Sequence, residues 1–105
     1  PAHRVWMASL QRLRRTLAPV AGAPDIAARR TAFLPLTEAL WAALSRFGHG
    51  RPEPVRLFHC PMANQSQGAD WIQMGRTTDN PYYGATMLRC GSQTDSLAAR
   101  PPEGP

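Results

Sequence analysis

The chain has 105 residues, 43% of them hydrophobic, and carries a formal net charge of +5 at pH 7. That length suits one domain with a modest core, and that hydrophobic fraction excludes a wholly disordered chain. No run approaches the roughly 18 apolar residues that span a bilayer, so direct membrane insertion of this segment is not expected.

All twelve basic residues are Arg. A nucleic-acid surface gathers such charge on one face and interleaves it with aromatics. Here Arg12, Arg14 and Arg15 share the polar side of one predicted helix, Arg29 and Arg30 open another, and the rest are scattered singly. No nucleic-acid partner is expected, and the lack of Lys fits a GC-rich coding bias. The chain begins at Pro1 with no initiator Met and no signal-peptide pattern, as a mature product or an excised segment would.

Trp6, Leu10, Leu13 and Leu17 recur at helical spacing, predicting a helix over 3–18. Pro19, Gly22 and Pro24 end it, and Asp25 is placed to cap the next helix. Ile26, Phe33, Leu36, Leu40, Leu44 and Phe47 form the second stripe, with Trp41 beside it and a kink expected over 31–35 at Pro35. Gly48 and Gly50 stop this helix. Two stripes and a short connector predict an antiparallel helical hairpin. Such a hairpin leaves one side of each stripe wet, to be covered by the C-terminal half or by a further helix.

Past Pro52 and Pro54, alternation of Val55, Leu57 and His59 with Arg56 and Phe58 predicts a short extended segment running into Cys60-Pro61-Met62. Residues 63–79 are polar and glycine-bearing, and read as a long ordered loop anchored by Trp71. Asn80-Pro81 opens a predicted helix ending near Leu88, and Gly91 closes it. From Ser92 onward the composition predicts a frayed tail. The expected fold is therefore mainly α: a small helical bundle over 1–91, with a flexible tail over 92–105.

The chemistry concentrates in two sulfur pairs. Cys60 and Met62 share a face of an extended segment, and Met87 and Cys90 share a face of a helix. Thiolate with thioether favours soft monovalent ions, Cu(I) or Ag(I), over Zn(II) and hard cations. Two thiolates on one such ion leave a local charge near minus one, which Arg56 and Arg89 would offset. His59 could add a nitrogen, although it alternates in direction with Cys60, and Met74 could close over the site as a lid. Met7 is expected to pack.

A Cys60–Cys90 disulfide is the competing reading. It would close about thirty residues and contribute roughly 3–4 kcal/mol on the chain-entropy model, leaving Met62 and Met87 to pack near Trp71 or Tyr82. Free buried thiols are a third state, and oxidation could also switch a metal site off.

The remaining candidates point elsewhere. His3 and His49 read as solvated, Trp71, Tyr82 and Tyr83 as core plates, and Asp70 and Asp79 as isolated carboxylates. No Ser-His-Asp set, phosphate loop or zinc spacing is evident. The two Cys are far more widely spaced than in thiol oxidoreductases. Enzymatic activity is not expected.

The runs His59-Cys60-Pro61-Met62-Ala63, Gly68-Ala69-Asp70-Trp71, Asn80-Pro81-Tyr82-Tyr83-Gly84 and Met87-Leu88-x-Cys90-Gly91 resemble a bacterial domain family of undefined chemistry. It occurs alone in the periplasm and as the C-terminal module of periplasmic adaptor (membrane fusion) proteins in copper/silver efflux. Arg30-x-x-Phe33-x-Pro35-Leu36-Thr37 also looks like that family's central helix, so the resemblance covers roughly 26–92. It implies a small periplasmic helical bundle with a further helix upstream and adaptor and transporter subunits as partners. It also strengthens the reading of Cys60, Met62, Met87 and Cys90 as a site that binds or senses Cu(I) or Ag(I). The alternative is a structural interaction module closed by a Cys60–Cys90 disulfide.

Overall fold

Asp25 begins the longer of two helices by accepting a 2.8 Å hydrogen bond from the Ala28 amide. The computed structural model describes residues 1–99. Helix α1 spans Ala2–Ala21 and α2 spans Ile26–Phe47, folded back as the expected antiparallel hairpin. Pro19 lies in the last turn of α1 and leaves the Arg15 carbonyl without its helical donor; Arg15 is exposed, so water replaces that donor and the helix runs on to end at Gly22. Pro35 likewise lies inside α2, leaving the carbonyl of the exposed Thr31 to solvent. Gly48 ends α2 at a φ of 78°, a conformation that favours glycine.

The second half is a sheet, and this overturns the expectation of a mainly α bundle. Strands β1 (Val55–Cys60), β2 (Ala69–Gln73) and β3 (Ser92–Leu97) form an antiparallel sheet in the order β2-β1-β3. The protein is a mixed α/β domain of a helical hairpin and a three-stranded sheet. β2 falls inside the stretch read as a long loop. It forms because Ala69 and Trp71 alternate inward and Phe58 of β1 pairs with Trp71. β3 falls inside the stretch read as a frayed tail. Its residues are almost all exposed, so no apolar alternation announces it. What holds it is pairing with the edge of β1, with an irregularity opposite Leu57/Phe58 that leaves Thr94 outside the register.

The helix expected over 81–88 is a chain of turns ending in a single 3₁₀ turn, Gly84–Met87. The Asn80 amide donates to the Leu88 carbonyl at 2.7 Å, closing the segment into a loop before a helix can extend.

The core lies between the inner sheet face and α2. Phe58, Cys60, Ala63, Ala69, Trp71 and Tyr82 form it, with Phe33 and Leu34 of α2 packed against them. Trp71 stacks on Phe58 with centroids 5.4 Å apart, and Tyr82 bridges Trp71 to Phe33 at 6.3 and 6.0 Å. Only α2 is covered in this way. No residue of α1 is buried, and Trp6, Leu17, Ile26 and Leu40 remain exposed, so the C-terminal half covers only part of the hairpin's apolar surface.

Candidate dithiol site

Cys60 ends β1 with its side chain on the inner face, and none of it is accessible to solvent. The chain then turns through Pro61-Met62 into a single turn, Ala63–Ser66, in which Asn64, Gln65 and Ser66 take φ values of 57°, 55° and 66°. The left-handed turn swings the chain back toward β2, where Ala69 pairs with Cys60. Gly68, at a φ of +91°, lies against the His59 ring, and a Cβ there would come within 2.7 Å of it.

The second thiol arrives from the 80–91 loop. Asn80 is fully buried and ties that loop together. Its Nδ2 donates to the Cys90 carbonyl at 2.8 Å, and its Oδ1 accepts from the Tyr82 amide at 2.8 Å. Gly91, at a φ of +117°, lets the next residue enter β3, since a Cβ there would stand 2.7 Å from Trp71 and 2.8 Å from the His59 carbonyl. The result is a Cys60 Sγ–Cys90 Sγ separation of 3.1 Å across thirty residues of sequence, with both cysteines free. The proximity on which both sulfur readings depended is therefore present.

The two thiols are electrostatically unlike. Burial pushes the Cys60 thiol up, but hydrogen bonds to its sulfur from the Cys90 thiol, the Met62 and Ala63 amides and the Asn80 side chain together bring it below its ordinary value. Donating that hydrogen bond pushes Cys90 up, and burial and the charge on Cys60 add to the rise. The pair thus favours one thiolate, on Cys60, with Cys90 as its proton-bearing neighbour. Tyr83 lies beside both. Its hydroxyl donates to the Met62 carbonyl at 2.6 Å, and desolvation followed by the charges of Cys60 and Cys90 raises its own ionisation.

The other predicted ligands separate into two groups. Met62 follows the turn at 53% exposure, with its thioether side chain largely in solvent. Met87 is half-buried in the 3₁₀ turn, and its carbonyl accepts from the Cys90 amide at 3.1 Å. Each is tied to its cysteine through the backbone, the Met62 amide to the Cys60 sulfur and the Met87 carbonyl to the Cys90 amide. His59 and Met74 do not join the site. His59 faces the other side of the sheet, where its Nδ1 donates to Asp70 Oδ1 at 2.6 Å. Met74 follows Gln73, the partner of Arg56, so it sits level with Val55 at the opposite end of β1, about 17 Å along the strand from Cys60. Among the described residues, no group of three or more His, Cys, Asp or Glu side chains is placed to hold a metal ion.

The arginines expected to offset the site's charge are engaged elsewhere. Arg56 donates to the Met74 carbonyl, and Arg89 pairs with Asp79 and donates to the Thr78 carbonyl at 2.8 Å. Neutral N–H groups beside Cys60 do that work instead.

No family model, curated protein or solved structure matches the chain. The site therefore has to be read from its own residues. Two of them escaped the sequence reading. By sequence Asn80 suits a helix cap and Tyr83 the core, yet the pair brackets the thiols. The Asn-Pro-Tyr-Tyr run was the available signal, because a buried Asn can satisfy several backbone groups in one tight loop.

Proposed function

We propose that this chain is a soft-metal module, binding or sensing Cu(I) or Ag(I) through Cys60 and Cys90, with thioether support from Met62 and Met87. The observation that carries this reading is the 3.1 Å approach of two free thiols. Sulfur is the preferred donor for soft monovalent ions, and the thiolate is the binding form. The hydrogen bonds that favour the Cys60 thiolate make one anionic ligand easier to form, and the ion displaces the thiol protons as it binds. The exposed Met62 can swing over a bound ion without disturbing the core.

The motif resemblance extends the proposal to setting. The module would work in the periplasm, handing its ion to the adaptor and transporter subunits of a copper/silver efflux assembly. A structural reading competes with it: the same 3.1 Å contact would let a permanent Cys60–Cys90 disulfide close an interaction module with no metal role.

Cu(I) titration against a chromophoric chelator under reducing conditions separates the two. Stoichiometric binding that is lost in Cys60→Ser/Cys90→Ser, and weakened about tenfold or more in Met62→Leu/Met87→Leu, supports the soft-metal module. No competition for Cu(I) by the reduced protein refutes it and leaves the structural module.

A further inference from the structure

The two thiols differ in access as well as in charge. Cys60 is sealed in the core among Phe58, Ala63, Ala69, Trp71 and Tyr82, whereas Cys90 packs at the edge of that cluster and remains partly open to solvent. They also differ in how firmly they are held. Cys60 belongs to the central strand and is paired with Ala69, while Cys90 lies in irregular chain between the 3₁₀ turn and β3. A disulfide needs the sulfurs at about 2.05 Å, so closure from 3.1 Å asks for about 1 Å of movement, which the Cys90 side can supply.

We propose that the site is closed reversibly by thiol–disulfide exchange with a small aliphatic disulfide, Cys90 attacking first and Cys60 resolving, and that closure switches metal binding off. This deepens the soft-metal reading and rests on it. In the first step Cys90 passes its proton to the Cys60 sulfur 3.1 Å away and attacks one sulfur of the small disulfide R–S–S–R. A Cys90 Sγ–S bond forms, the S–S bond of the small disulfide breaks, and one R–S⁻ leaves as a thiolate. In the second step Cys60, already in contact with Cys90 Sγ, attacks that sulfur and expels the other R–S group with the remaining proton. Two protein thiols are oxidised to one disulfide, and one small disulfide is reduced to two thiols. A disulfide offers no thiolate, so the oxidised chain has lost both anionic ligands.

The order of attack follows from access. A disulfide molecule cannot reach a sulfur with no exposed surface, but it can reach Cys90, and once there it delivers the bond to Cys60.

The test uses the whole chain and oxidised glutathione as the disulfide. Reduced protein is mixed with it, quenched at intervals with an alkylating reagent and mapped by mass spectrometry. The expected result is a transient glutathione adduct on Cys90, followed by an intramolecular disulfide. In Cys60→Ser the Cys90 adduct should accumulate, and in Cys90→Ser modification should slow by about tenfold or more, because only the sealed sulfur remains. An early adduct on Cys60 in the unaltered protein, which needs no variant to fold, overturns the order of attack. Absence of the intramolecular disulfide overturns closure. Cu(I) competition is then run on both redox forms. Binding by the reduced form and none by the oxidised form is the expected result, and equal binding by both overturns the switch alone. If the reduced form itself fails to bind, the soft-metal reading falls and takes the switch with it, even where exchange proceeds as described.

Discussion

The Asn80 side chain donates to the Cys90 carbonyl at 2.8 Å, and through that bond a fully buried amide sets where the second thiol stands. The same side chain accepts from the Tyr82 amide and donates to the Cys60 sulfur, so one residue serves both sides of the site. Replacing Asn80 by Ala leaves buried backbone groups without partners. The expected loss is about 2–3 kcal/mol of unfolding free energy, read from denaturant midpoints, together with weaker Cu(I) competition. An unchanged midpoint would contradict the role given to Asn80.

Gly91 allows the chain to pass from Cys90 into β3. Gly91→Ala places a methyl group 2.7 Å from Trp71 and 2.8 Å from the His59 carbonyl, at a φ of +117°. Neither neighbour is the free end of a flexible side chain. We expect destabilisation of at least about 2 kcal/mol and slower Cys60–Cys90 cross-linking. Cross-linking at the unaltered rate would show that β3 and the thiols are not coupled.

The thiols should titrate as an unequal pair. One thiolate forms below the ordinary thiol value of 9.0 and the second above it. For Cys60, whose folded value is depressed, the associated stability is present above the unfolded thiol range and is lost as pH falls through the folded value. Cys90 has the opposite sign: its raised value makes the fold lose stability as pH rises past the unfolded thiol range. Ultraviolet thiolate absorbance followed against pH should show two separated steps. In Cys90→Ala the remaining step should move upward, because Cys60 loses its closest donor. A single step at the ordinary value in the unaltered protein would remove the asymmetry.

Tyr82 sets the alkaline limit of the fold. Burial raises its ionisation to about 12 from 10.0, outweighing a hydrogen bond from Thr37, and the negative charges of Asp70 and Glu38 raise it further. The folded state holds the phenol neutral, so this stability is complete below pH 10.0 and drains away as pH rises towards 12. The loss should be on the order of 2 kcal/mol. Tyr82→Phe forfeits the 2.6 Å bond to the Asp70 carbonyl and starts less stable, but its midpoint should vary less with pH over that window. Equal slopes for the two proteins would contradict the assignment.

The turn after Cys60 carries strain that is not needed for its path. Gln65 has no side-chain partner among the hydrogen bonds described and sits at φ 55°, ψ 42°. A non-glycine residue there costs roughly 1–2 kcal/mol, against roughly 0.5–1 kcal/mol for the extra freedom glycine loses on folding. Gln65→Gly should therefore raise the unfolding free energy by about 0.5–1 kcal/mol. A decrease would mean that the turn is not left-handed in solution.

These residues also mark what the sequence discloses and what it hides. Helical periodicity, the Asp25 cap and Gly48 were local signals, and each needs only its own neighbours to act. The Cys60 and Cys90 pairing was legible because a thiol pair in a small domain suggests contact whatever the fold. β2 and β3 were hidden because neither is a strand by its own pattern. Trp71 needs Phe58 across the ladder, and Ser92–Leu97 needs the edge of β1. The 81–88 segment carried a good helical start in Asn80-Pro81, but the bonds from Asn80 to Leu88 and Cys90 outcompeted it. His59 is offered as a ligand only by its adjacency to Cys60, and strand alternation carries it to the other face, beside Asp70.

X-ray absorption at the copper edge, on the one-to-one Cu(I) complex of the reduced chain, reads the donor set without reference to any variant. A first shell made of sulfur alone is the predicted spectrum. A shell dominated by nitrogen or oxygen, or no stoichiometric complex to measure, would contradict a soft-metal site built on Cys60 and Cys90.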